Sequence, residues 1–160
     1  MDSRRRTISI FNPENILDQF SESIPGAFAH DEDYLAAVAR YVRGEGLPVS
    51  VDVRKESLGG IRAGKELFLV LTPVERRLRH YSTYHFGRQM GRTLTAGWYL
   101  LGKVAAGGLG GWAIAGGASQ PDMDQLEALV RAVHEFAVIP AMHEIAAQVR
   151  TSDSNSRLGG

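Results

Sequence analysis

The stretch ERRLRHYSTYHFGRQMGRTLTAGWYLL, residues 75–101, decides the predicted fold. Two segments of it, 79–86 and 93–101, are rich in aromatic residues and threonine, a composition typical of strands, and a turn at 87–91 separates them. Successive side chains in a strand point to opposite faces. Tyr81 and His85 are therefore predicted on one face of the first strand, with Tyr84 on the other. The stretch predicts two neighbouring antiparallel strands.

Two further strands are predicted just before this stretch. Residues 49–55 alternate between valine and polar side chains, as a half-exposed strand does. The unbroken apolar run at 67–71 predicts a strand that is covered on both faces, and a glycine-containing turn at 58–65 lies between them. Four successive strands with short connections predict an antiparallel meander.

The N-terminal region predicts one more strand and a short helix. Residues 7–11 alternate, with Ile8 and Ile10 on one side, which indicates a possible fifth strand. Asn12 and Pro13 then have the chemistry of a helix start. The apolar face of that short helix is expected to carry Ile16, Leu17 and Phe20.

Two longer helices are predicted on either side of the strand region. Residues 31–43 begin with three acids and carry apolar side chains at helical spacing, which predicts an amphipathic helix with one core-facing stripe. A second helix begins at Ser119-Gln-Pro-Asp, a capping-box pattern. Pro140 within it predicts a kink or a division into two helices.

These elements together predict an α+β fold. An antiparallel sheet of about four to five strands is packed on one face by the helix at 31–43 and by the long, Pro-kinked C-terminal helix. Residues 1–150 of the 160 are expected to form a single domain, and the polar residues 151–160 a flexible tail. The predicted core consists of apolar side chains from these segments: Val38, Leu67, Phe68, Leu69, Val70, Leu71, Trp98, Leu100 and Leu129.

Composition and motifs exclude several functional classes. The chain contains no cysteine, which rules out disulfides, thiolate metal sites and a cysteine nucleophile. The five histidines lack metal-ligand spacing, and the metalloprotease, phosphate-loop and serine-hydrolase motifs are absent. We therefore expect no metal, no cofactor and no catalytic residue, and nothing in the sequence argues for an enzyme. No leader pattern follows the basic start, so a cytoplasmic location is expected.

The candidate binding residues lie at 79–92 and in a glycine-rich segment at 102–117. Arginines neutralise phosphates and exposed aromatics stack on bases, so one candidate nucleic-acid surface comprises Arg79, Tyr81, His85, Arg88 and Arg92. The alternative is that the aromatics are core and the arginines pair with acids. Trp112, among the glycines, would suit insertion into a groove of a partner. A membrane span there is disfavoured by Lys103 and by glycine density.

Three functions follow from these observations. The leading prediction is a non-enzymatic binding or adaptor module that acts through protein–protein contacts, with homodimerisation as one form of contact. The first alternative is a nucleic-acid-binding protein that uses the basic and aromatic strand pair at 79–92. The second alternative is a small-ligand pocket between the sheet and a helix, lined by tyrosine and tryptophan.

Overall fold

The computed structural model describes residues 10–58, 64–102 and 119–158. The elements follow one another as β1 (Ile16–Pro25), α1 (Asp31–Gly44), β2 (Val49–Ser57), β3 (Lys65–Pro73), β4 (Tyr81–Met90), β5 (Thr93–Gly102), α2 (Gln120–Val133) and α3 (Ile139–Leu158). A 3-10 turn, Pro13–Asn15, precedes β1. A π-helical turn, His134–Val138, joins α2 to α3.

The five strands form one antiparallel sheet in the order β1-β5-β4-β3-β2. The predicted α+β fold is confirmed, and β2 to β5 form the predicted meander. β1 adds to the outer side of β5. Consequently β1 and β2, which are joined only through α1, occupy opposite edges of the sheet, and the connection between them runs across one sheet face.

The N-terminal prediction was wrong for residues 16–20, which form a strand and not a helix. Phe20 pairs with Trp98 across the sheet, and Ile24 pairs with Leu94. Asn12 and Pro13 do begin a helical segment, but it is only the 3-10 turn Pro13–Asn15. A helix this short is marginal in water, whereas pairing with β5 satisfies the backbone groups of β1 that point toward β5. Residues 7–9 of the other predicted strand lie outside the described ranges.

Both faces of the sheet are covered over its middle strands. On the face toward the helices, Leu71, Trp98 and Leu100 pack in one cluster with Val38 of α1 and Ile145 of α3. On the far face, a second cluster is built around apolar and aromatic side chains: Phe68, Val70, Tyr84, Phe86 and Leu101. Of the predicted core, only Leu67 and Leu129 are half-buried, and the other members are buried.

Pro140 is accommodated by a π turn within one long helical path. Proline has no N–H to donate to the carbonyl four residues back. The backbone N–H of Ile139 instead reaches the carbonyl of His134, five residues back. The expected irregularity is therefore present, and it takes the form of a π bulge.

The segment predicted as a flexible polar tail continues α3 as far as Leu158. All side chains of 151–158 are exposed. Four hydroxyls donate to carbonyls one turn back, among them Thr151 to Ala147 at 3.0 Å and Ser152 to Gln148 at 3.0 Å. The helical conformation of this segment was not predicted. Within the described ranges, no helix combines the length and hydropathy that crossing a membrane requires.

Candidate functional site

The structure does not bring the predicted binding residues onto one exposed surface. Tyr81 and His85 lie on the face that the helices cover, and both are buried. Arg79 comes before β4 and Arg92 after it, so the ten-residue strand, about 30 Å long, separates them. Arg88 lies on the opposite face from His85. Trp112 and most of the glycine-rich segment lie outside the described residues.

Arg88 is tied down on the far face of the sheet. Its Nε donates to the Glu66 carboxylate at 2.8 Å and 3.0 Å, and its Nη1 donates to the Tyr99 hydroxyl at 3.1 Å. Its guanidinium carbon stands 4.1 Å from the centre of the Phe86 ring. Because its guanidinium is bound to a carboxylate and lies over an aromatic ring, Arg88 has a structural role on this face.

The helix-facing side of β4 holds a buried polar pair. His85 Nε2 lies 2.9 Å from Thr83 Oγ1. Burial, aided by the charge of the nearby His134, lowers the pKa of His85 to about 3, so the ring is neutral at pH 7. His85 Nδ1 has no hydrogen-bond partner in the described part of the chain. Such an atom is uncommon in a folded protein.

Tyr34 on α1 has a second buried polar atom without a partner among the described residues, its hydroxyl oxygen. Burial raises the pKa of Tyr34. The start of α1 lies directly on β4, because a Cβ added to Gly87 would stand 3.2 Å from Asp31 Cα. Tyr34 follows Asp31 by one helical turn, and His85 precedes Gly87 by two residues. Both unpartnered atoms therefore belong to the layer between α1 and β4.

Trp98 and His134 form a polar contact between β5 and the π turn. The indole Nε1–H of Trp98 donates to His134 Nδ1 at 3.2 Å. Because indole can only donate, a neutral His134 in this contact carries its proton on Nε2. The Phe20 ring meets the His134 ring edge-on, with centroids 4.5 Å apart. The π turn that positions His134 is of a kind that recurs at functional sites.

A crevice of about 440 Å³ lies between α2 and the β1–β5 side of the sheet. Its floor is formed by Trp98 and Leu100 of β5 with Leu17 of β1, and its opposite wall carries Leu126 and Val130 of α2. His134 stands at one end. The crevice thus combines an apolar interior with one oriented imidazole.

Part of the crevice lining also borders the space beside the buried polar pair. A smaller apolar pocket shares Leu100, Leu126 and Val130 with it and also reaches Thr83. Thr83 is the partner of His85. Leu100, Leu126 and Val130 are therefore shared between the open crevice and a small void beside the buried polar side chains.

The rim of the crevice carries more negative than positive charge. Asp18, Asp124 and Glu127 lie there together with Arg131. Arg131 donates to Glu127 at 2.9 Å, and Asp124 accepts from Gln120 at 2.8 Å. One cation against three carboxylates makes the entrance acidic, which disfavours an anionic ligand.

Little in the sequence indicated this site. Trp98 and His134 are 36 residues apart, and no motif spacing connects them. By its sequence context, His134 is an ordinary surface or partly buried histidine. The one available signal was Pro140, which indicated an irregular helix close to His134. Among the described residues, no group of histidine, aspartate and glutamate has the arrangement of a metal site.

Comparisons with known proteins do not identify the chain. No family model matches it, and no curated protein matches it in sequence. Among solved structures, it is similar to the crystal structure of the di-domain ARO/CYC BexL from the BE-7585A biosynthetic pathway, at 14% identity and a TM-score of 0.28. The match covers 86% of this chain and 52% of that one, so this chain spans about half its length. A likeness at this level establishes neither a shared fold nor a shared function.

Proposed function

We propose that the protein binds a small, mostly apolar molecule in the crevice between α2 and strands β1 and β5. The observation that carries this proposal is the crevice itself. Its volume of about 440 Å³ falls within the range of about 300–1,000 Å³ that is usual for small-molecule sites. Apolar floor and wall residues with a few convergent polar groups are also the usual composition of such sites.

His134 gives the ligand one defined chemical feature. Trp98 occupies Nδ1 of His134, so the Nε2–H of the neutral ring is the donor that remains for a ligand. A bound molecule should therefore carry a hydrogen-bond acceptor. The acidic rim favours a neutral acceptor, such as a ketone or ester carbonyl, over a carboxylate. The indole of Trp98, which lines the crevice floor, favours a flat apolar body.

The proposal is binding and not catalysis. Acid–base catalysis needs groups that are placed to exchange protons with a substrate. Of the crevice-lining residues that the structure describes, the carboxylates stand at the rim, and His134, whose Nδ1 is held by Trp98, offers one oriented Nε2–H to a ligand. We therefore assign His134 a role in orienting the ligand.

Three naphthalene probes test the proposed chemistry. Trp112→Phe leaves Trp98 as the chain's single tryptophan, so its fluorescence reports occupancy of the crevice. Acetylnaphthalene should bind more tightly than ethylnaphthalene, and naphthoic acid should bind most weakly. His134→Phe should remove the advantage of the ketone, a loss of about three- to tenfold in affinity for one hydrogen bond, and should leave ethylnaphthalene binding nearly unchanged.

Two variants of α2 locate the binding. Val130→Trp fills the crevice and should abolish the fluorescence response and the ligand-induced rise in melting temperature. Ala128→Trp adds the same side chain at an exposed position of α2 that does not line the crevice, and it should retain the rise in melting temperature. Absence of binding by all three probes, or equal binding by the two variants, would contradict the proposal.

Protein–protein contact, the leading prediction from the sequence, is a second proposal. It is favoured by Val53 of β2, which is 60% exposed and lies beside a groove between α1 and the β2–β3 edge. Nucleic-acid binding has no comparable support, because the predicted arginines do not share a surface. A cytoplasmic location remains a prediction from the sequence.

A further inference from the structure

β2 is an edge strand whose outer side has no strand partner among the described residues. It pairs only with β3, in an unbroken register from Val49 opposite Pro73 to Ser57 opposite Lys65. The outward N–H and C=O groups of such a strand are a template for another strand. The crevice proposed as a ligand site lies at the other side of the sheet, at β1 and β5.

The helix-facing side of this edge carries valines and is only partly covered. α1 does not reach β2, and a groove is left between them. Its apolar lining comes from Val51 and Val53 of β2, Leu67 and Leu69 of β3 and Leu35 of α1, while Glu32, Arg43 and Asp52 also line it. Val53, which pairs with Leu69, is the most exposed apolar side chain of this groove at 60%.

The opposite side of the same edge carries two charges of opposite sign. Asp52 and Arg54 are two residues apart and therefore point to the same face. Within the chain they form an exposed pair, with Arg54 Nε 2.8 Å from Asp52 Oδ2. Exposed pairs of this kind contribute little to stability. Arg54 also hydrogen-bonds Tyr84, and both charges remain at the surface that a partner strand would meet.

We propose that the protein forms a homodimer through antiparallel pairing of β2 with β2 of a second copy. When Val53 is placed opposite Val53 of the second copy, each Asp52 lies opposite Arg54 of the other chain. The four charges then alternate in sign on one face, and the two valines meet on the other. The joint sheet has ten strands, and the two grooves beside α1 become continuous.

The charge pattern selects this register over its neighbours. Sliding the second copy by two residues one way places Asp52 opposite Asp52, and the other way places Arg54 opposite Arg54. Like charges directly opposite each other destabilise paired strands. A slide by one residue places Val53 opposite a residue of the other face, so the helices of the two copies would lie on opposite faces of the sheet.

Charge reversal tests the pairing directly. The wild-type chain at micromolar to millimolar concentration should show by light scattering about twice its chain mass of 17.5 kDa. Asp52→Arg and Arg54→Asp should each raise the dimer dissociation constant by about tenfold or more, because each puts like charges in opposition. The double variant D52R/R54D restores the alternation and should restore the dimer.

Controls separate loss of pairing from loss of fold. Arg92→Asp changes the charge by the same amount at an exposed turn outside β2 and should remain dimeric. Each variant should keep the near-ultraviolet circular dichroism of the wild type. A monomeric wild type, single variants that remain fully dimeric, or a folded double variant that remains monomeric would each overturn the proposal. Because the ligand crevice is at the other edge, naphthalene binding should be the same in all of these variants.

Discussion

Two of the helices that cover one face of the sheet, α1 and α2, cover it in different ways. The backbone of α1 comes close to β3, β4 and β5, whereas the backbone of α2 approaches none of the described strands as closely. Where α1 crosses Gly87, little space is left between helix and strand, although a groove remains beside α1 on the side of β2. Under α2, larger side chains hold the helix away and a crevice remains. The close contact stabilises the fold, and the open one provides the proposed binding site.

Matched leucine truncations should show the largest difference between the two regions. Leu94 packs near Gly87 and is 0% exposed, while Leu126 on α2 is 2% exposed and lines the crevice. Leu94→Ala should lower the free energy of unfolding by about 3–5 kcal/mol, because a closed cavity forms. Leu126→Ala enlarges an existing opening and should cost about 2 kcal/mol. Urea denaturation measures both, and equal losses would show that α2 packs as closely as α1.

The pH dependence of the free energy of unfolding should depend on His85, which is buried in the layer under α1. The pKa of His85 is about 3 in the folded protein, against an ordinary histidine value of 6.5 that applies to the unfolded chain. Between these values the unfolded chain binds more protons than the folded one, so stability is complete above about pH 6.5 and falls as the pH falls. The slope should approach about 1.4 kcal/mol per pH unit for one such group.

Two variants test whether His85 causes this slope of stability against pH. His85→Leu removes the titrating ring and should flatten the dependence between about pH 4 and 6, whatever its effect on absolute stability. His143→Gln alters an exposed histidine on α3 and should leave the slope as it is in the wild type. Denaturant unfolding at several pH values provides the measurement, and an unchanged slope in His85→Leu would refute the assignment.

Glycine substitutions should give the smallest of these effects. A Cβ at Gly87 would meet the Asp31 backbone at 3.2 Å and Leu94 Cδ1 at 3.3 Å. Gly87→Ala should therefore destabilise by about 1–2 kcal/mol, since α1 must shift. At Gly44, the last residue of α1, nothing lies within 4 Å, and alanine there should be neutral or stabilising by up to about 1 kcal/mol. Thermal unfolding compares the two, and a neutral Gly87→Ala would mean that α1 is not held closely against β4.

The sequence predicted those parts of the fold that depend on local pattern. Strict alternation identified β2, aromatic- and threonine-rich composition identified β4 and β5, and an apolar run identified β3. The capping box at the start of α2 is confirmed, because Ser119 and Asp122 exchange hydrogen bonds at 3.1 Å and 3.3 Å. β1 was missed because its partner lies far along the chain, and its local composition resembles that of a helix as much as that of a strand.

Most of the candidate site could not be predicted from the alternation of side chains along the strands. The division of β4 into two faces was correct, with Tyr81 and His85 together. Which face the helices cover is a property of the whole chain, and here they cover the face that had been predicted to bind. Trp98 was expected in the core and is buried, but its contact with His134 depends on where the π turn places that ring.

The crossover of α1 from one sheet edge to the other sets an order of events in folding. β2 to β5 can pair as successive hairpins while the chain is being synthesised, since each strand follows its neighbour. β1 leaves the ribosome first, yet Ile16 pairs with Leu101 and Pro25 with Thr93. β1 must therefore remain without its native partner until the chain has been made as far as Leu101. Long-range pairing of this kind is slow, so docking of β1 onto β5 is expected to be a late folding step.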